Sequence, residues 1–104
     1  MGLLFIFALP HSSSLNAQQV SEEWFSVVSI LKHKQALSRA HDVQLSGNLA
    51  FVPGKGGSIA IIDVAKPDTP KILWYHQDLK GLGDSQTVLP VGNHLFLGTN
   101  DFYS

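Results

Sequence analysis

The pair with the most chemical potential in this chain is His41-Asp42. A histidine beside a carboxylate has the makings of a general base or of half a metal site. Adjacent residues of an extended strand point to opposite faces, however, so the two side chains do not converge. The five histidines (His11, His33, His41, His76 and His94) show no i, i+2 or i, i+4 spacing, and the chain has no cysteine to complete a ligand set. No metal or organic cofactor is expected from this segment alone. Asp63 ends a run of four apolar residues and precedes a turn, where a carboxylate accepts backbone N–H groups as an Asx cap.

Gly54-Lys55-Gly56-Gly57 has the composition of a phosphate-cradling loop. It lacks the strand–loop–helix context and the Gly-Lys-Ser/Thr ending, so a glycine-rich hairpin loop explains it better. Trp24, Trp74 and Tyr75 read as packing residues rather than as a stacking platform for sugars or bases. No Gly-x-Ser-x-Gly and no Ser/His/Asp constellation is present.

Composition bounds what can position these groups. In 104 residues there are 7 Lys and Arg against 8 Asp and Glu, with 44% hydrophobic residues and 14% charged. That balance excludes a basic nucleic-acid binder, and the apolar content excludes a disordered chain. Without cysteine there is no disulfide scaffold and no thiolate chemistry. The length allows at most one small domain.

The run Gly2–Leu9 is apolar but too short to cross a bilayer, so no transmembrane segment is expected. Pro10, three serines and Asn16-Ala17 follow, which has the layout of a secretory signal peptide over residues 1–17, cut after Ala17. Export of the chain follows from that reading. No Lys or Arg precedes the run, and Leu15 is a mediocre residue three before the cut. The competing use of the run is as a buried strand of the fold. Residues 18–25 then read as a linker. Trp24–Leu31, rich in aromatic and β-branched residues, reads as a strand.

Beyond that point the chain repeats. An offset of 45 residues carries Gly47-Asn48 onto Gly92-Asn93, Leu37 onto Leu82, Val43 onto Val88 and Phe51 onto Phe96. The matches fall on apolar strand positions and on one turn. Each unit reads as strands. Val43–Leu45 and Leu49–Val52 flank Ser46-Gly47-Asn48, where Gly and Asn tolerate the positive φ of a two-residue hairpin. Ser58–Val64 is apolar on both faces, with Ile59 and Ile61 on one side and Ala60, Ile62 and Val64 on the other, as in a mid-sheet strand. A turn containing Pro67 and Pro70 leads to Lys71–Gln77, bulkier and more polar, as suits an outer edge. Four antiparallel strands in about 45 residues make a β-propeller blade.

The residues then resemble a known family. Ile59-Ala60-Ile61-Ile62-Asp63 looks like the motif that names the LVIVD-repeat propellers, and Asp63 to Pro70 is similar to that family's D-[VI]-x-x-P-x-x-P turn. Ala40-His41-Asp42-Val43, followed by Ser46–Val52, resembles its A-x-D-V…SGN-x-A-Y-V stretch. Gln86-Thr87 replaces His41-Asp42 in the second unit. The resemblance implies an all-β, incomplete propeller over residues 26–104, with His41, Asp42 and Gln86 as possible channel-facing residues. It also implies that the remaining blades are partners.

The strands so counted amount to about one and three-quarter blades, a fragment with apolar faces left open. A small β protein that oligomerises to cover those faces is the alternative. The function expected is a non-catalytic exported scaffold whose loops, chiefly 53–58 and 78–85, or channel face bind a protein or surface glycan. The other reading is part of a propeller enzyme holding a metal or organic cofactor in its channel, with His41 and Asp42 contributing.

Overall fold

The structure, a computed structural model, describes residues 2–8 and 26–100. Antiparallel strands dominate it. The strands are β1 (Leu3–Ala8), β2 (Ser26–Lys32), β3 (Gln44–Ser46), β4 (Leu49–Gly54), β5 (Ser58–Asp63), β6 (Lys71–Gln77), β7 (Asp84–Val91) and β8 (His94–Asn100), with one short helix, α1 (Leu79–Leu82). They form three sheets: β1-β2, the four-stranded meander β3-β4-β5-β6, and β7-β8.

Local chemistry accounts for the meander. Gly47, at φ 58°, turns the chain between β3 and β4. Asn48 does not share that positive φ, so glycine alone carries the left-handed position, as in a type II′ hairpin. The double-sided apolar strand β5 lies between β4 and β6, and the bulkier β6 takes the edge. Alternation along β4 and β5 then sends side chains to two separate cores. Ala50, Val52, Ala60 and Ile62 join Ala36 and Leu37 on one face, against Leu4 and Leu31 of the β1-β2 sheet. Phe51 and Ile59 meet Val88 on the other, flanked by Leu95 and Leu97 of the β7-β8 sheet. The meander is the middle of three layers.

The run read as the apolar core of a signal peptide forms β1, paired with β2 from Leu3↔Lys32 to Ala8↔Ser26. The expected cleavage point after Ala17, the linker 18–25 and Trp24 lie outside the described residues.

The hairpins have the same pairing at positions 45 residues apart. β3-β4 pairs Gln44↔Phe51, Leu45↔Ala50 and Ser46↔Leu49. β7-β8 pairs Leu89↔Phe96, Pro90↔Leu95 and Val91↔His94. Gly47 and Gly92 have φ values of 58° and 59°. The pairing of β1 with β2 also matches that of β5 with β6. Ser58↔Gln77 corresponds to Leu3↔Lys32, and Ile61↔Trp74 to Ile6↔Ser29. The register shift follows at the same step, after Ile61 in one pair and after Ile6 in the other. Leu3–Ala8 therefore stands where Ser58–Asp63 stands.

Candidate functional site

Three connections gather at one end of the meander, and hydrogen bonds tie them together. The segment before β3 offers the Ser38 and Arg39 carbonyls, which accept from the Gly56 and Lys55 N–H groups at 3.0 and 2.9 Å. The Gly57 carbonyl accepts the Asp78 N–H at 2.8 Å, and the Gln77 amide donates to the Gly56 carbonyl at 2.9 Å. Glycine is required at this junction. Gly57 has φ 76°, and a Cβ there would lie 2.5 Å from the Leu79 Cα. A Cβ on Gly56 would lie 1.8 Å from the Ser38 hydroxyl oxygen. The Gly-Lys-Gly-Gly stretch thus serves as the close-packed centre of a loop cluster.

That end of the molecule is cationic. Lys32, Lys34, Arg39, Lys55 and Lys80 sit at or beside these connections, five of the chain's seven Lys and Arg. Among the described residues, Asp42, Asp78 and Asp84 are the acidic residues at the same strand ends. The Asp78 carboxylate is committed to capping α1, accepting the Gly81 N–H at 3.0 Å. Asp84 and Ser85 are buried. The Gln86 amide donates to one Asp84 carboxylate oxygen at 3.1 Å, while the other oxygen and the Ser85 hydroxyl have no partner among the described residues. Nothing in the sequence marks this Asp-Ser dipeptide as buried.

His41 and Asp42 lie just before β3, at the edge of the meander opposite β6. The His41 side chain is exposed, and its N–H donates to the Pro53 carbonyl at 2.9 Å. Asp42 is half-buried and accepts the Val43 N–H at 2.8 Å. Both line a shallow recess with Leu3, Leu4 and Val43. Gln86 is instead engaged with Asp84. Asp63 accepts the Ala65 N–H at 2.9 Å, two residues on, as the chain enters the Pro67–Pro70 turn. No three His, Asp or Glu side chains among the described residues come together in a way that would hold a metal ion.

A concavity of about 370 Å³ opens between β1 and the β3-β4 side of the meander. Its walls are apolar: Phe5 and Phe7 on one side, Val43, Leu45 and Ala50 on the other. Among the described residues no helix is long and apolar enough to cross a membrane. No family model, curated protein or solved structure matches this chain.

Proposed function

We propose that this chain is a building segment of a β-propeller scaffold of the LVIVD-repeat kind, and that it binds a partner without catalysis. The observation that carries the reading is the shared register of residues 26–55 and 71–100. Strand, capped turn and hairpin recur in the same order at a fixed offset of 45 residues. Sheets stacked face to face through β4 and β5 supply the second support, because a blade must bury both faces against neighbours.

The binding surface is the loop end built from residues 33–40, 53–57 and 78–83. Cross-loop hydrogen bonds hold it rigid, so little ordering entropy is lost on binding. Its four cations, Lys34, Arg39, Lys55 and Lys80, with Lys32 beside them, favour an anionic face of a protein or an acidic surface glycan. On this reading the apolar N-terminal run serves as a strand, and an exported chain would keep it.

The test is retention of the full chain on an immobilised sulfated glycan and on an acidic protein surface, as salt is raised. Binding that weakens with salt, and falls at least tenfold in Arg39→Glu/Lys55→Glu with unchanged circular dichroism, supports the reading. Binding that ignores both salt and the double variant refutes it.

A further inference from the structure

Among the described residues the two outer sheets have two strands each, and the edges of β8 and β1 that carry no partner there are complementary. β8 corresponds to β4, whose far edge is taken up by β5. β1 corresponds to β5, whose far edge is taken up by β4. The chain therefore contains, within its own meander, the template for joining β8 to β1. We infer that β8 of one copy of this chain pairs antiparallel with β1 of a second copy, completing a four-stranded sheet β7-β8-β1-β2 across the contact. The inference rests on the blade reading proposed above.

The template sets the register. Ala50↔Ile62 becomes Leu95 opposite Phe7 of the second copy, and Phe51↔Ile61 becomes Phe96 opposite its Ile6. Neither strand carries Lys, Arg, Asp or Glu, the residues that usually blunt a free edge. The exposed apolar faces fall where such a join would cover them. Phe5 and Phe7 are 46% and 53% exposed on the β1-β2 sheet, and their counterparts Ala60 and Ile62 are fully buried against a neighbouring layer. Phe96, 60% exposed, corresponds to buried Phe51. The 370 Å³ groove between β1 and the β3-β4 side of the meander lies along the strand that β8 of the other copy would join.

The described residues of each copy bring two, four and two strands, which is two blades' worth. The contact is head to tail, so it must repeat until a ring shuts or a fibre grows. Propellers of four to eight blades correspond to roughly two to four copies.

The native mass of the full chain, with cysteine pairs placed across the inferred contact, tests this. The chain has no cysteine of its own, so the background is clean. Chains carrying Phe7→Cys are mixed with chains carrying Leu95→Cys, and Ile6→Cys with Phe96→Cys. Successive pairs of an antiparallel ladder alternate between wide and close spacing, so one of the two mixtures meets the geometry of a disulfide. A whole multiple of 11.3 kDa, with a disulfide-linked heterodimer in at least one mixture, supports the contact. The same crosslink recovered from a precipitate also supports it. A monomer, or an assembly that forms neither crosslink, overturns it. Methyl NOEs between Ile59 and Val88 separate the two levels. If they persist without the crosslink, the stacked-sheet reading stands and the β8–β1 contact falls. If they are absent, the blade reading itself fails.

Discussion

His33 and Asp78, 45 residues apart, close the same one-turn cap. The Leu37 N–H donates to the His33 carbonyl at 3.1 Å, and the Leu82 N–H to the Asp78 carbonyl at 2.8 Å. The Ala36 N–H donates to His33 Nδ1 at 3.0 Å, and the Gly81 N–H to Asp78 Oδ1 at 3.0 Å. An imidazole and a carboxylate thus do one job, satisfying an N–H that a turn leaves without a backbone acceptor. An alignment of residue types does not find this pair, because the shared property is an acceptor atom at one position and not a shared side chain.

Removing either acceptor has a similar effect. Asp78→Ala and His33→Ala are each expected to destabilise the fold by about 1 kcal/mol, the usual cost of losing a cap. Asp78→Asn and Asp78→Ser, which keep an acceptor, recover most of that loss. Thermal unfolding at one fixed protein concentration measures it.

Three glycines separate strain from collision. Gly47 and Gly92 have matching positive φ, and a Cβ at either meets nothing within 4 Å. Gly47→Ala and Gly92→Ala are expected to cost about 1 kcal/mol each, the strain of the left-handed conformation alone. Gly57→Ala adds a backbone clash to the same strain and is expected to cost more than either. Denaturant titration of the three variants gives the order. Equal losses at all three would contradict the close packing of Gly57 against α1.

The middle layer holds the fold's strongest packing. Ile62 is 0% exposed between β1-β2 and its own sheet. Ile62→Ala is expected to cost about 3 kcal/mol through lost burial and the cavity left behind. Leu73, the bulged and exposed residue of β6, is expected to change stability by less than about 0.5 kcal/mol when truncated. The difference between the two variants in chemical denaturation measures the asymmetry.

A strand that pairs along its whole length with β2 is part of the fold. Protein recovered from a host with a secretion pathway is therefore expected to retain Leu3–Ala8. Intact mass spectrometry reads this directly. A mature chain beginning at Gln18 would make the run a leader instead, and would remove β1 from every argument above.

Much of the all-β architecture was legible from residue pattern alone. Alternation in Val43–Leu45 and Leu49–Val52, the two Gly-Asn turns and the double-sided run Ser58–Val64 each point to a strand or turn that the structure contains. The N-terminal run was less legible. Eight apolar residues followed by Pro and Ser suit a signal peptide and a strand equally, and the pairing with β2 is a long-range property. The loop cluster was invisible for the same reason. Ser38, Gly56 and Asp78 are distant in sequence, and nothing local announces that their backbones meet. His41-Asp42 looked like chemistry because of the residue types, yet the backbone directs the carboxylate to the next N–H.

The central claim is that residues 26–55 and 71–100 are one structural unit used twice. An experimental backbone structure of the full chain in solution, with φ and ψ for both stretches, tests it most directly. The account predicts that the strands, caps and hairpins of the two stretches superpose at an offset of 45, with Gly47 and Gly92 both left-handed and the His33 and Asp78 caps coinciding. Different registers in the two hairpins, or helix in place of β7-β8, would contradict it.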